Sequence, residues 1–316
     1  MTTLFDEDSF RATKVRVRKT YLELGNRGEQ ILERFDFIDE NVKDFHAGAA
    51  SPRRGVFVMG ESGTGKSFSL RHHLATYPAF QPKMNKYGRM TRPVVSVTAP
   101  DKSTTLDIMT EALNAMRVPV PKHGRDMRKT MLEQFAENET IVFHIDEMQH
   151  TTRSNTVATV RAVQEWLKRM LEIKEFPLHV IVSGMPTLDA LLAEDQIDRR
   201  SKVISFDTLA CPDDLKWVIF CLEEVAVKGC GLSLANDITS GEDQFYERLC
   251  HASKGGFGIM VEMTQEACFR AIRAGRSELA SRHFANEYES NSSNPDLNIF
   301  RSPDWREITS TYDNHK

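Results

Sequence analysis

Several features that would place the chain in a special class are absent or weak. No stretch of the 316 residues approaches 18 consecutive apolar residues, so no membrane-spanning helix is expected. Residues 1–10 are acidic and lack an apolar run, unlike a secretory signal. Lysine and arginine number 41 against 45 acids, so any nucleic-acid surface must be a local patch. We therefore expect a cytoplasmic protein that does not contact a membrane.

Cysteine is scarce as well. The chain has five cysteines, an odd number, and none lies in a CxxC pair. All of them fall in the C-terminal third, in segments that are otherwise helical in pattern. We expect buried, reduced thiols rather than metal ligands or disulfides. The residues are Cys211, Cys221, Cys230, Cys250 and Cys268.

Short apolar runs that alternate with helical patterns organise the first two thirds of the chain. Continuous β-branched strands separated by helices indicate a parallel sheet covered on both faces, an α/β fold with five strands. The predicted strands are 55–59, 94–97, 141–145, 179–182 and 202–206. The predicted helices between them are 68–76, 104–116, 126–137, 157–173 and 187–195, and a further helix precedes them at 27–46.

The pattern changes after Pro212, where three helices at 213–228, 241–252 and 258–274 follow one another without strands. This change predicts a small helical lid domain. The chain is therefore divided into four parts: a basic arm, an α/β domain, the lid, and a polar, flexible tail. Their predicted bounds are 1–26, 27–209, 210–282 and 283–316. The arm has five cations and no acid at 11–19, which suits contact with DNA or a neighbouring subunit, or plain solvation.

A phosphate-binding loop is the most specific motif. The pattern GxxxxGK[S/T] is matched in full between a strand and a helix, the context that the motif needs. Glycines let backbone N–H groups turn toward phosphate oxygens, and the helix N-terminus favours negative charge. Lys66 is predicted to reach the β- and γ-phosphates of ATP, and Ser67 to bind Mg²⁺. The loop consists of Gly60, Glu61, Ser62, Gly63, Thr64, Gly65, Lys66 and Ser67.

Two acids follow the third predicted strand. Asp146 and Glu147 come directly after the apolar run 141–145, which is the Walker B pattern. Asp146 is predicted to hold Mg²⁺, directly or through water. Glu147 is predicted to orient and deprotonate the attacking water. The alternative, a pair of surface acids that caps the next helix, does not account for the phosphate loop upstream.

Four segments together resemble a known family. GESGTGKS, HIDEMQH, VIVSGMP and DRRSKVISF are similar to motifs of the TniB/TnsC group of AAA+ transposition regulators, from Tn7-like and Tn5053-like bacterial mobile elements. The resemblance covers about residues 25–280. The ATP motifs are specific for the AAA+ superfamily, whereas Met148-Gln149-His150, the Ser-Gly-Met-Pro turn and the chain length indicate the group.

The resemblance implies a Mg²⁺-dependent ATPase that takes part in DNA recombination. Such proteins form ATP-dependent rings or helical filaments of identical subunits on double-stranded DNA. They link a target-selection protein of the TniQ class to a transposase, and ATP hydrolysis disassembles or edits the assembly. We expect the same partners for this chain, and a bacterial cytoplasm as its location.

The resemblance also assigns roles beyond the Walker B acids. Ser183 corresponds to the polar sensor that helps to place the water. Arg199 or Arg200 corresponds to the arginine finger that stabilises charge in the adjacent subunit's nucleotide. The sequence does not separate these two arginines, and pairing with local acids is the alternative. The lid departs from the AAA+ pattern, because residues 253–260 contain Lys254 but no arginine. Hydrolysis is therefore expected to be slow.

Two basic stretches are candidates for contact with DNA. Lys102 and Ser103 follow the second strand, where a loop is expected to point toward a central channel. Residues 117–129 hold five cations against one acid. No aromatic residue is interleaved, so contacts to the phosphate backbone are expected, and a solvated surface is the alternative. The candidates in this second stretch are Lys122, Arg125 and Arg128, with Arg117 and Lys129 beside them.

Two other functions stay open. A helicase loader or an insertion-sequence helper ATPase shares the core motifs. A non-hydrolysing scaffold uses ATP only to join subunits, and Glu147 argues against it because its carboxylate serves hydrolysis rather than binding. The polar tail from about residue 285 is a candidate contact to the transposase, since flexible tails can fold onto partners.

Overall fold

The computed structural model describes residues 6–152, 156–294 and 296–312. The strands are β1 Gly55–Gly60, β2 Val94–Thr98, β3 Val142–Asp146, β4 His179–Gly184, β5 Ser201–Phe206, β6 Ser233–Leu234 and β7 Glu278–Leu279. The helices are α1 Glu7–Lys19, α2 Arg27–His46, α3 Lys66–Thr76, α4 Thr105–Met116, α5 Gly124–Glu137, α6 Val157–Leu171, α7 Asp189–Leu192, α8 Asp195–Asp198, α9 Leu215–Leu222, α10 Asn236–Thr239, α11 Phe245–Ala252, α12 Phe257–Arg273 and α13 Ser281–Asn291. A π-helix, Glu223–Gly229, continues α9, and short 3-10 turns lie at Pro78–Phe80, Met148–Thr151, Pro186–Leu188 and Trp305–Glu307.

The chain forms two compact units that differ in architecture. The sheet unit comprises Gly25–Glu61 and Lys66–Phe206. The helical unit comprises Met1–Leu24, Ser62–Gly65 and Asp207–Lys316. The predicted boundary between α/β domain and lid at residue 209 therefore falls close to the boundary at Phe206. Residues 6–24, however, group with the helical unit.

The sheet unit contains a five-stranded parallel sheet in the order β2-β3-β4-β1-β5. Successive side chains of a strand point to opposite faces, so an apolar strand needs cover on both sides. In β1, Val56 and Val58 pack with α2 and α3, whereas Phe57 and Met59 pack with the cluster that includes α4, α5 and α6. This arrangement confirms the predicted α/β fold, its five strands and four of the five helices between them. The predicted helix 187–195 is instead a 3-10 turn at Pro186–Leu188 followed by the two short helices α7 and α8.

The helical unit is built around α9, α11, α12 and α13. Helix α1 joins its core through Phe10 and Val17, which are 4% and 3% exposed. Arg18 pairs with Glu266 of α12, and Arg16 donates to the carbonyl of Gly229 at 2.7 Å. The basic N-terminal segment is therefore a helix anchored to this unit and not a free arm, because two apolar residues at helical spacing bury one of its faces.

The expectation of a flexible tail from residue 283 is wrong for the residues that the structure describes there. Helix α13 occupies the start of this segment, and Asn298 donates to the carbonyl of Ala285 at 2.8 Å. Large apolar side chains beyond the helix are buried in the helical core. Polar composition misled the prediction because a few well-spaced aromatic residues are enough to anchor an irregular segment. The buried side chains are Ile299, Phe300, Trp305, Ile308 and Tyr312.

The cysteines only partly follow expectation. Cys211 and Cys250 form a disulfide within the helical unit, whereas all five were expected to be reduced. The other three are free, and Cys221 and Cys268 are buried as expected. Burial raises the pKa of Cys221 to about 12, so that thiol is protonated and unreactive at neutral pH. Among the described residues, no helix is long and apolar enough to cross a membrane.

Candidate functional site

The phosphate loop lies where the sequence predicts it, between the end of β1 and the start of α3. Gly63 and Gly65 have φ values of 78° and 92°, a left-handed backbone that glycine adopts at no steric cost. Lys66 opens α3 and is only 4% exposed. Its ammonium donates to the carbonyl of Glu61 at 3.4 Å, a long hydrogen bond for a buried cation. An anion beside this lysine would offset the cost of burying its charge.

Four side chains form what we call the strand-end cluster: Ser67, Asp146, Ser183 and His144. Strands β3 and β4 are neighbours and parallel, so their carboxyl ends meet at one edge of the sheet. Ser183 donates its hydroxyl to Asp146 Oδ1 at 2.6 Å, and Ser67 donates to the same oxygen at 3.0 Å. The cluster thereby joins the predicted sensor, the first Walker B acid and the end of the phosphate motif.

His144 fixes the direction of the hydrogen bonds in this cluster, a role that the sequence did not predict. The ring is fully buried, and burial lowers its pKa to about 4, so it is neutral near pH 7. Since Ser183 gives its one proton to Asp146, it must accept from His144 Nε2–H at 2.9 Å. His144 Nδ1 then accepts from the Ser96 hydroxyl at 2.7 Å. The hydrogen bonds therefore run in one direction, from Ser96 on β2 through His144 and Ser183 to Asp146. Only the His144 tautomer with its proton on Nε2 satisfies all of them.

Glu147 is held by a residue that the sequence indicated only as part of a family signature. Its backbone is left-handed, with φ 54° and ψ 35°, which is strained for a residue with a side chain. Gln149 donates to the Glu147 carboxylate, and its own carbonyl accepts from the N–H of Met185 at 3.1 Å. A Cβ on Gly184 would lie 2.2 Å from that carbonyl oxygen. Glycine at position 184 therefore leaves room for the Gln149 side chain, which holds the Glu147 carboxylate.

The glycines of the phosphate loop contact the first turn of α12 in the helical unit. Ile259 N–H donates to the carbonyl of Gly63 at 3.1 Å. A Cβ on Gly258 would lie 2.8 Å from that oxygen and 3.1 Å from the nitrogen of Gly65. We call this backbone approach the glycine contact. Its only sequence signal was a glycine-rich start to a helix, where stronger helix formers are the norm.

Lys254, the possible substitute for the lid arginine, has an exposed side chain and a left-handed backbone, with φ 53°. It lines a surface cavity of about 570 Å³ together with His251, Trp305 and Arg306. The lid of this chain thus reaches the phosphate loop through glycine backbone rather than through a long cationic side chain.

The two finger candidates have different surroundings. Arg200 donates to Glu172 at 2.6 Å, and its side chain is 27% exposed. Arg199 is 81% exposed and makes only a 3.7 Å ion pair with the equally exposed Asp195. Arg199 is therefore the arginine that is free to reach another molecule, which the sequence alone did not decide.

The structure brings the two candidate DNA stretches together in the sheet unit. Lys102 is exposed at the turn after β2, with a left-handed φ of 54°. A Cβ on Gly124 would lie 2.6 Å from the side chain of Leu106, so the start of α5 lies against the start of α4. The candidates Lys122 and Arg125 flank that glycine and are exposed.

The two remaining DNA candidates are less suited to direct contact. Ser103 is 6% exposed, and Arg128 is half-buried. In the part of the chain that the structure describes, the Oγ of Ser103 and the Nε of Arg128 are buried atoms without a hydrogen-bond partner.

The donor set at the strand ends suits Mg²⁺ better than a metal held by protein alone. Among the described residues, no group of three or more histidine, cysteine, aspartate or glutamate side chains is arranged to hold a metal. Mg²⁺ typically takes one or two protein oxygens and completes its shell with phosphate and water. Ser67 and Asp146 supply two oxygens 3.0 Å apart, which fits an ion bound together with a nucleotide.

Comparison with known proteins agrees with this geometry. Residues 49–192 match a family described as AAA domain. The crystal structure of Cdc6p from Pyrobaculum aerophilum is similar in fold, with a TM-score of 0.58 and 16% identity over 90% of this chain and 71% of that chain. No curated protein matches the chain. The fold is thus the AAA+ P-loop α/β fold with a helical lid. The residues that match the AAA domain family include the phosphate loop and the strand-end residues Asp146 and Ser183.

Proposed function

We propose that this protein is a Mg²⁺-dependent ATPase that assembles on double-stranded DNA and regulates transposition in a bacterial mobile element. In this proposal it links a TniQ-class target-selection protein to a transposase, and ATP hydrolysis controls the assembly. The observation that carries the ATPase part is Asp146, which accepts hydrogen bonds from Ser67 and Ser183 at one strand end beside Glu147. A carboxylate held in this way has a fixed oxygen for a metal and a neighbouring base for water.

The proposal assigns each residue a separate task. Lys66 neutralises phosphate charge, and Ser67 and Asp146 hold Mg²⁺, which supplies charge neutralisation when bound. Glu147 takes the proton of the attacking water. Gln149 donates to one oxygen of the Glu147 carboxylate and so orients it, while the other oxygen stays available to the water. A lid without an arginine would keep basal hydrolysis slow.

Control of assembly rests on Arg199. An arginine finger acts from the adjacent subunit, so it must be exposed and weakly paired within its own chain. Arg199 meets both conditions, whereas Arg200 is occupied by Glu172. Replacing Arg199 by alanine should lower ATP turnover by about 10³-fold or more, in line with the loss of other arginine fingers. Arg200→Ala is the matched control and should retain most of the turnover.

The contact to DNA rests on Lys102 and Arg125, which are exposed on neighbouring elements. Each phosphate contact that is removed should weaken binding to any duplex and reduce the salt slope by about one. Lys102→Ala and Arg125→Ala are therefore expected to bind random-sequence duplex less tightly in a salt series. Lys174→Ala is the control, because Lys174 is exposed just before the amino end of β4. Binding that matches wild type in both variants would remove these contacts from the proposal.

The decisive experiment uses Glu147→Gln. Phosphate release should fall by about 10²–10⁴-fold, and the variant should stay on duplex DNA in ATP, because binding is intact while hydrolysis is not. Glu165→Gln, a change at an exposed position of α6, is the control. Electron microscopy of the trapped complex should show rings or helical filaments on DNA. Transposase and the TniQ-class protein should then be retained on the same DNA only with this protein and ATP.

The same experiment separates the alternatives. A non-hydrolysing scaffold predicts that Glu147→Gln behaves like wild type on DNA. A helicase loader predicts stable capture of a hexameric helicase and no ATP-dependent retention of transposase. Loss of phosphate release without any ATP-dependent DNA binding would keep the ATPase and remove the transposition role.

A further inference from the structure

A short hairpin, residues 83–91, lies between α3 and β2 in the sheet unit, and the sequence-based assignment of sites did not include it. Thr91 N–H donates to the carbonyl of Lys83, and Asn85 N–H donates to the carbonyl of Arg89, both at 2.8 Å. The Asn85 side chain accepts from two backbone N–H groups inside the turn, both at 3.0 Å. The turn is therefore hydrogen-bonded and has a defined shape, which makes it suitable for recognition. We call it the Met-Tyr hairpin.

The hairpin exposes three large apolar side chains. Met84, Tyr87 and Met90 are 62%, 73% and 60% exposed. Met84 and Met90 face each other in the antiparallel pair, and the two backbone bonds flank them. This is the non-hydrogen-bonded position, where facing side chains are closest and share one face. Adjacent methionines form an adaptable apolar surface of the kind that proteins use to bind peptides.

Cations alternate with these apolar residues along the hairpin. Lys83, Lys86 and Arg89 are exposed, and among the described residues no carboxylate forms an ion pair with them. The sequence contains no aspartate or glutamate between Glu61 and Asp101. The Asn85 side-chain amide donates to the Glu139 carboxylate at 2.9 Å, so this acid contacts an amide rather than a cation. A partner that complements the hairpin must therefore bring negative charge.

The position of the hairpin separates it from the proposed nucleotide and DNA sites. It precedes β2 and so lies at the amino ends of the parallel strands, whereas Lys102 and Asp146 lie at or beyond their carboxyl ends. The five residues of β2 alone span about 16 Å. Nucleic-acid interfaces are polar and need cations rather than a methionine pair. Tyrosine, methionine and arginine, by contrast, are enriched in the centres of protein interfaces. These features favour a protein partner over DNA.

We propose that the Met-Tyr hairpin binds an acidic segment of a partner protein that carries apolar side chains. The apolar side chains of the segment pack on Met84, Tyr87 and Met90, and its carboxylates pair with the surrounding cations. This inference does not depend on ATP hydrolysis or on the transposition role, because no residue of the hairpin belongs to the strand-end cluster, the phosphate loop or the DNA candidates.

A selection from random peptides displayed on phage tests the proposal. The full-length protein serves as bait, and a Met84→Ser/Met90→Ser double variant is used for counter-selection. The enriched peptides should carry net negative charge and at least one aromatic or long aliphatic residue. Fluorescence anisotropy should show binding that weakens about tenfold or more in the double variant, as expected when a central apolar contact is lost. Val157→Ser, at a 67% exposed position of α6, is the control and should bind like wild type.

A second variant tests the charge. Lys83→Glu/Lys86→Glu/Arg89→Glu should abolish binding of the acidic peptides, leave ATP turnover unchanged, and leave affinity for duplex and single-stranded oligonucleotides unchanged. A loss of oligonucleotide affinity in this variant would make the hairpin a nucleic-acid contact and overturn the proposal. So would enrichment of neutral or basic peptides, or equal binding to the double variant. A wild-type protein whose self-association disappears in the double variant would identify a second copy of the chain as the occupant, and would likewise overturn it.

Discussion

The strand-end cluster and the glycine contact are two regions built on opposite principles. In the cluster, the hydroxyls of Ser67 on α3 and Ser183 on β4 converge on one oxygen of Asp146, and each hydrogen bond needs a particular functional group. In the glycine contact, α12 approaches the phosphate loop closely, and what matters is the absence of side chains at Gly63 and Gly258, where a Cβ would lie within 3 Å of the facing segment. The first region can do chemistry, whereas the second can only set how closely two segments of the helical unit approach.

The difference predicts how each region responds to substitution. In the strand-end cluster, replacing one functional group by another of the same volume should lower the reaction rate. A backbone contact should lose binding or stability when volume is added, even without a change in polarity. Substitutions that change only the functional group, or only the side-chain volume, can therefore test whether the regions have the separate roles that we assign to them.

Among the substitutions that compare these two regions, the largest effect is expected from Asp146→Asn, which keeps the volume and removes the charge. ATP turnover should fall by about 10²-fold or more, because the oxygen that both hydroxyls orient loses its negative charge toward a metal. The free energy of unfolding should change little, since the amide oxygen can still accept a hydrogen bond. Phosphate release and urea unfolding measure the two. Asp189→Asn, at an exposed site, is the control, and wild-type turnover in Asp146→Asn would show that the cluster has no catalytic role.

Gly258→Ala should act in the opposite way, on binding and stability. The added methyl would press on two backbone atoms of the loop, and overpacking of this kind costs about 1–3 kcal/mol. We expect weaker binding of a fluorescent ATP analogue and a lower melting temperature. Gly124→Ala is matched, because its methyl would meet only the movable end of Leu106. Equal nucleotide affinity in both variants would mean that the glycine contact does not shape the loop.

The sheet and the residues at its strand ends were predictable because their signals are local. An apolar run followed by two acids predicted both β3 and the position of Asp146. A complete phosphate motif predicted the loop and the start of α3. In each case the residues that form the sequence motif are themselves the residues of the candidate site.

The remaining features depend on tertiary contacts that no local pattern encodes. His144 reads as one more residue of a buried strand, and its role follows only from the neighbours that Ser96 and Ser183 provide. Gln149 gains its role from the Met185 backbone N–H. The tail was misjudged for the same reason: Trp305 and Tyr312 are isolated in a polar sequence, and their burial depends on a surface formed by other helices.

His144 allows a finer test of the cluster. His144→Asn places an amide near the former Nδ1 and removes the donor to Ser183, so about 1–3 kcal/mol of stability should be lost. The Mg²⁺ concentration for half-maximal turnover should rise, because Asp146 loses its fixed orientation. The amide of His144→Gln reaches the position of the former Nε2. This variant should therefore restore part of the stability and part of the Mg²⁺ affinity. A Mg²⁺ dependence that is identical in the two variants would limit His144 to a packing role.

The smallest effect concerns the pH dependence of stability. Burial, together with the positive charge of Arg54, lowers the pKa of His179 to about 4. Its neutral ring donates Nδ1–H to the carbonyl of Pro177 at 3.1 Å and accepts from Asn41 at 2.9 Å. Below about pH 6.5 His179 takes up a proton in the unfolded chain but stays neutral in the folded chain. This contribution to stability is therefore complete above that pH and is lost as the pH falls toward the folded-state value.

Between pH 6.5 and 5, each such histidine should lower the free energy of unfolding by up to about 1.4 kcal/mol per pH unit. His144 shares the lowered pKa but belongs to the strand-end cluster, whereas His179 lies at the other end of β4. Urea titrations of His179→Gln across this window should give a shallower slope than wild type, with ATP turnover unchanged at neutral pH. An equal slope would place a charged His179 in the folded protein. A loss of turnover would instead show that the strand-end cluster depends on the hydrogen bonds at the opposite end of the sheet.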